Sequence, residues 1–278
     1  MLFRTFSHLT SLCLAFFILG CSVSSKSLTS KEVDFIGQII DLKTNQPISA
    51  DDLLARLSVQ DYILIGEEHD NQLHHQIELY LFNQLTQKTR VHLLALEMLN
   101  VEQQPFINDI QFNRRFSLSD SELRKAIRWK HWDWAMYRDL IVESLQSKSH
   151  VVATNLTDKE IEVLLQGALP LKGTFSTSNE VKQKIAQLIS SVNHHLPVSI
   201  DNMISVQQFR DRRMAEKLIK NALFTSILIA GNHHVNKEFG VPLHIAEYDK
   251  TKKVAVLMLK TRKEDITSSQ ADYLWLTK

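Results

Sequence analysis

The chain has 278 residues, 44% of them hydrophobic, and its 32 Lys and Arg against 31 Asp and Glu leave a formal net charge of +1. That length and apolar share suit one large domain with a substantial core. Without a basic excess, nucleic acid is excluded as the expected partner.

In chain order, residues 1–20 read as a secretory leader. Arg4 supplies the positive start, and Leu9 to Leu19 form an apolar stretch too short to span a bilayer comfortably. Ile18-Leu19-Gly20-Cys21 has the form of a bacterial lipobox, in which Cys21 is acylated and becomes the first mature residue. Several acyl chains would anchor the protein stably, at about 0.8 kcal/mol per buried CH₂. Ser22, where Asp would signal retention, favours the outer membrane of a Gram-negative envelope. An ordinary leader with a cysteine nearby is the alternative. Cys13 leaves with the leader, so Cys21 is the one mature cysteine. No internal disulfide can form, and metal chemistry falls to His, carboxylate, Tyr or Met. Residues 21–30 form a Ser-rich tether, residues 31–265 the folded domain, and residues 266–278 a C-terminal tail.

Short apolar runs bounded by polar residues or Gly predict strands at Tyr62–Gly66, His92–Glu97, Val151–Asn155, Ser226–Gly231, His244–Tyr248 and Val254–Leu259. Asp70 can cap a helix whose apolar positions Leu73, Ile77, Leu81 and Leu85 recur every four residues. A helical stretch spans Trp129 to Tyr137, and a long helix is expected over Ile204–Leu223. Residues 167–203 fit an insertion, either a ligand lid or a plain helical subdomain. The expected fold is α/β: a mainly parallel central sheet flanked by helices, with a helical insertion.

Two strands end in the same way. Ile65-Gly66-Glu67-Glu68-His69 and Ala230-Gly231-Asn232-His233-His234 both read apolar strand, then Gly-x-x-His. Glycine permits a sharp turn that sets a polar side chain at the carboxyl edge of the sheet, where open α/β sheets bind ligands. Glu67, His69, Glu97 and His234 would then meet at one edge. Two His and two carboxylates suit a divalent metal or general acid–base chemistry, and equally a structural hydrogen-bond network. His74 could face the same pocket or lie on a helix surface with His75, while His233 should point away. Trp134 and Tyr137 share a helical face, a spacing that serves a core or a large flat ligand. Gln208 and Asp211 lie on one side of a helix, and Arg210 with Asp211 could bond to the Glu/His cluster or remain solvated. No Gly-x-Ser-x-Gly, P-loop or dinucleotide glycine fingerprint occurs.

In order, Leu64-Ile65-Gly66-Glu67-x-His69-Asp70-Asn71 with His74, Leu96-Glu97, Trp134-x-x-Tyr137, Val151 to Asn155, Gln208-x-Arg210-Asp211-x-x-Met214-Ala215 and Gly231-Asn232-x-His234-Val235 resemble the ChaN family of bacterial haem-binding lipoproteins. His233 departs from the pattern, which commonly has Gly there. The resemblance implies a fold shared distantly with erythromycin-esterase-like and TraB/Tiki-type proteins. It also implies haem held in a homodimer, with a Tyr of one copy on the iron and a His and a Lys of the other at the propionates. An outer-membrane haem receptor is the implied partner in iron uptake. Tyr137 is the candidate iron ligand, being the one Tyr inside a matching motif, ahead of Tyr80 and Tyr248; His194 and His195 are candidates for the propionates. The alternative is a metal-dependent hydrolase using Glu67, His69, Glu97 and His234.

Overall fold

Alternation along the strands settles the layers. In β3 (Tyr62–Glu67) every residue is buried, and successive side chains serve opposite faces of the sheet. Ile63 and Ile65 join Leu94, Leu96, Ile227, Ile229, Leu257 and Leu259 in one apolar core. Tyr62 and Leu64 join Leu93, Ala95, Leu228, Ala230, Val256 and Met258 in the other. Strands covered on both faces read as continuous apolar runs, which is why the sequence announces them.

The computed structural model describes residues 28, 32–33, 36–192, 198–220, 224–262 and 266–278. The leader, Cys21, all of the tether except Leu28, and both His194 and His195 lie outside the described residues. Among the described residues no helix is long and apolar enough to cross a membrane.

One eight-stranded sheet runs in the order β2-β1-β8-β7-β3-β6-β4-β5. Its further strands are β1 (Gly37–Asp41), β2 (Gln46–Ile48), β4 (Val91–Asn100), β5 (His150–Asn155), β6 (Thr225–Gly231), β7 (Val254–Lys260) and β8 (Tyr273–Thr277). From β8 to β5 every neighbouring pair is parallel, and the β1–β2 hairpin adds antiparallel strands at one edge. The mainly parallel α/β sheet expected from sequence is therefore present.

Helices α1 (Ala50–Leu57), α2 (Gln72–Lys88), α3 (Gln104–Phe112), α4 (Asp120–Ala126) and α5 (Trp134–Gln146) contribute to the first core. Asn71, not Asp70, caps α2: its side chain accepts from the backbone N–H groups of Leu73 and His74. Ile77, Leu81 and Leu85 are buried as the four-residue spacing requires, and Leu73 packs at the rim. The predicted helical stretch begins later than expected, at Trp134, because Asp133 caps α5 and Trp129 to Asp133 form a loop.

After α6 (Asp158–Leu165), the insertion resolves into α7 (Asn179–Val192), which packs Val181, Ile185 and Ile189 against Ile204 of α8 (Ile200–Lys220). The regular structure described in this insertion is helical. Two expectations are corrected. His244–Tyr248 is helical, forming part of α10 (Val241–Tyr248), which starts with Pro at its first turn and buries Val241 and Ile245 against α8. The 266–278 tail instead carries β8, inserted between β1 and β7, where Trp275 is fully buried. Its apolar run, Tyr273-Leu274-Trp275-Leu276-Thr277, is only five residues long, too short to stand out at the terminus until its partners are known.

Candidate functional site: the carboxyl edge of β3, β6 and β4

The chain passes from β3 to β4 and β5, then returns to fill the gap between β3 and β4 with β6. The carboxyl ends of three adjacent parallel strands converge there, at the kind of switch point where such sheets bind ligands. Glu67 ends β3, Glu97 lies near the end of β4, and Gly231 ends β6 and leads into the short helix α9 (Asn232–Val235).

Both motif glycines are required for space. A Cβ on Gly66 would stand 2.5 Å from Asn232 Oδ1 and 2.5 Å from Val235 Cγ2, and one on Gly231 would stand 2.8 Å from His69 Nε2. Each turn packs on the other's glycine, so the two motifs form one interlocked unit. Neither glycine adopts a positive φ, so close approach takes the place of the sharp turn expected.

The four predicted residues do come together. His69 Nδ1 lies 2.7 Å from Glu67 Oε1, and His69 Nε2 lies 3.9 Å from Glu97 Oε2. Glu97 Oε2 also accepts the N–H of Gly231 at 2.8 Å, while its Oε1 is 3.3 Å from His234 Nε2. The other nitrogen of His234 meets Asp211 Oδ1 at 2.5 Å. Asp211 therefore reaches the cluster as the helical spacing suggested, and Gln208 turns to donate to the carbonyl of Ser176.

Burial and pairing oppose each other throughout. Burial would raise Glu97, but the His234 charge and hydrogen bond outweigh it and hold the carboxyl at about 2. Burial would lower His234, yet Glu97 and Asp211 lift it to about 10. For Asp211 burial wins and raises it to about 6 despite His234. Burial would raise Glu67 too, but hydrogen bonds from His69 and His75 carry it well below the usual carboxylate range.

Sequence reasoning missed two members, His75 and Glu78. His75 Nδ1 is 2.9 Å from Glu67 Oε2 and 3.1 Å from Glu78 Oε2. The signal was available: these residues are three apart on α2, one turn beyond the first motif. His74 faces neither the pocket nor solvent. Its Nδ1 accepts the Glu68 N–H at 3.0 Å and its Nε2 meets Thr277 Oγ1 at 3.2 Å, tying α2 to β8. Burial drives it down to about 4, so it is neutral. His233 is exposed, as expected.

Tyr137 requires a correction. It is 1% exposed, and its hydroxyl donates to Glu67 Oε1 at 2.8 Å. Burial and the Glu67 charge push its pKa far up, the reverse of what a tyrosinate ligand needs. With Trp129, Trp132 and Trp134 it forms an aromatic floor beneath the cluster, and Trp132 stacks 4.5 Å from His69. Tyr80 is fully buried, whereas Tyr248 is 48% exposed.

A cavity of about 220 Å³ opens beside Glu97, lined by Lys130, His131, Trp132, Asn155 and Arg210 among others. Arg210 Nε is buried there without a hydrogen-bond acceptor.

The family profile described as "Haem-binding uptake, Tiki superfamily, ChaN" matches residues 53–245. A solved structure of cofacial haem binding to ChaN of Campylobacter jejuni is 32% identical, with a TM-score of 0.80 over 87% of this chain and 97% of that one. An erythromycin esterase, EreC, solved in an open conformation, is 12% identical with a TM-score of 0.48, covering 82% of this chain and 78% of its own. RRSP, a MARTX toxin effector domain from Vibrio vulnificus, is 15% identical with a TM-score of 0.47, over 83% and 37%. No curated protein matches the sequence.

Proposed function

Because the chain belongs to the ChaN family of haem-binding uptake proteins, in the Tiki superfamily, we propose that it binds haem for iron uptake as a lipoprotein anchored through Cys21 in the bacterial outer membrane. Likeness to the haem-binding Campylobacter protein along nearly its full length carries this reading. The haem sits between two copies of the chain, its iron held by Tyr248, and an outer-membrane haem receptor is the partner in delivery.

Tyr248 replaces Tyr137 because a macrocycle must reach its ligand. Of the five tyrosines it is the exposed one. Its hydroxyl donates to Glu216 Oε1 at 2.8 Å; burial and that bond raise its pKa, so iron must displace the phenolic proton here too, but at a site a macrocycle can reach. Beside it Phe175 is exposed, with Lys250 Nζ 4.0 Å from its ring centroid, and Arg212 lies 5.5 Å from the Tyr248 ring. These cations lie over the two rings; swung aside to meet propionates, they would leave the aromatic faces to the macrocycle. The loop is held there by Glu247, whose Oε1 accepts the backbone N–H groups of Thr174, Phe175 and Ser176.

Haemin titration of the full chain in detergent, read by absorption and sizing, tests this. A saturable Soret change with a tyrosinate charge-transfer band and haem-linked dimerisation is expected. Tyr248→Phe should remove the band, and Tyr137→Phe should keep it. The reverse pattern, or binding no better than to a control protein, rejects the assignment.

The cavity at Glu97 favours a second reading, hydrolysis at the strand ends. Glu97 and His234 would perform acid–base chemistry, with Arg210 holding an anionic part of the substrate. Turnover of an ester panel that disappears in Glu97→Gln would support it.

A further inference from the structure

Beneath the strand-edge quartet, Glu67, His75 and Glu78 bring one potential ligand atom each to within 4.8 Å of one another, and all three residues are buried. The separations from His75 Nδ1, 2.9 and 3.1 Å to the two carboxylates, approach those between donors sharing an ion at about 2.0–2.2 Å. Among the described residues no other set of three His, Cys, Asp or Glu side chains converges this tightly. The quartet itself is strung out as a chain of pairs, with 3.9 Å between His69 and Glu97.

A second observation points to a cation. Glu78 is 0% exposed, and its Oε1 is buried with no N–H donor and meets the Glu67 carboxylate across the pocket. The Nδ1 of His75 carries at most one hydrogen, yet it faces two carboxylates. Buried carboxylates are costly unless compensated, and two in contact must share either a proton or a cation.

The surroundings of the triad are arranged as those of a metal site are. His75 Nε2 lies 3.2 Å from the carbonyl of His69. Donating there leaves Nδ1 as the atom that faces the carboxylates, bare once the ion displaces its proton, the usual support for a ligating imidazole. The Tyr137 hydroxyl donates to the second oxygen of Glu67 and fixes that carboxylate as well. One neutral imidazole and two carboxylates balance the charge of a divalent ion, and this mixed N/O set suits Zn²⁺, Mn²⁺ or Fe²⁺.

We propose that Glu67, His75 and Glu78 bind one divalent first-row transition-metal ion, in a site separate from the Glu67, His69, Glu97 and His234 quartet and sharing only Glu67 with it. The site depends on neither the haem reading nor the hydrolytic one. When the ion enters, protons held by His75 and Glu78 leave, so metal-free and metal-bound forms carry the same net charge.

The test is a Co²⁺ titration of the chelator-stripped full chain, followed by d–d absorption, with Zn²⁺ competition. One equivalent per chain should bind and develop visible d–d bands. Glu78→Gln keeps the shape of a protonated acid and removes the ligand, so it should weaken binding at least about tenfold, while His234→Gln should leave it intact. No stoichiometric binding, or binding that survives Glu78→Gln, overturns the proposal. Loss in His234→Gln with retention in Glu78→Gln assigns the metal to the quartet instead. Should Glu78→Gln not fold, the wild type decides: Zn²⁺ must raise its Tm in a saturable manner, as a ligand of the native state does, and an unchanged Tm rejects the site.

Discussion

His69 and His234 each stand three residues after a strand-end glycine, yet the side chain of the first is 33% exposed and that of the second 11%. After Gly66 the backbone continues as strand through Glu67 and leaves His69 on the rim against Trp132. After Gly231 it coils into α9, which carries His234 inward between Glu97 and Asp211. One spelling therefore produces a solvent-facing histidine and a buried, doubly paired one. The motif fixes where a strand ends and how closely a neighbour approaches. The element that follows decides what the histidine does.

Replacing His234 should have the largest effect. His234→Gln leaves Glu97 and Asp211 buried without their shared partner, and breaking such a pair costs about 3–5 kcal/mol. The loss should also depend on pH. In the folded chain His234 sits at about 10, above its ordinary value, so its contribution is complete below about 6.5 and fades as pH rises towards 10. Glu97 sits at about 2, so its contribution is present above about 4.5 and fades as pH falls towards 2. Asp211, raised to about 6, favours its protonated form and so withdraws stability as pH passes upward through that value. The Tm difference between wild type and variant should be widest between about pH 4.5 and 6.5. A difference that is flat with pH would show that these groups do not interact as their geometry indicates.

Gly66→Ala should rank next. The added methyl meets Asn232 and Val235 on α9, and overpacking of this kind costs about 1–3 kcal/mol. Urea unfolding would measure it. A neutral substitution would mean that α9 can slide, and that the two turns are not interlocked. Because Asn232 Nδ2 donates to the carbonyl of Leu259, such a shift would also be transmitted to β7.

Most of the sheet was legible because doubly covered strands announce themselves. Five of the six expected strands are present, and three of them carry the quartet. His244–Tyr248 misled because a short apolar run bounded by polar residues has no period of its own, and Pro242 at a first helical turn was the available clue. The strands β1, β2 and β8 escaped because they are only three to five residues long, and β2 at the edge is polar and largely exposed. At the site, the quartet was visible as motif residues, whereas the three-residue spacing of His75 and Glu78 showed that they share a helix face but not where that face is aimed. Tyr137 misled for a different reason: its motif records its bond to Glu67, and exposure, which decides whether an oxygen can reach iron, leaves no mark in spacing.

His69→Ala should have the smallest effect, and it sharpens the contrast between the two turns. The lost ring stacks on Trp132 and bonds to Glu67, but Glu67 keeps His75 and the Tyr137 hydroxyl as partners. Gly231, on which the ring rests, needs no side chain to fill the space. A partly exposed ion pair is worth about 1 kcal/mol or less, so urea unfolding should move by no more than that. A loss as large as that of His234→Gln would make His69 a structural residue and leave the rim without a free group. A small loss leaves a histidine whose pKa is raised, because burial is outweighed by the hydrogen bond to Glu67. Such a group holds its proton to higher pH than an ordinary histidine at the mouth of the cluster, where the fold does not depend on it.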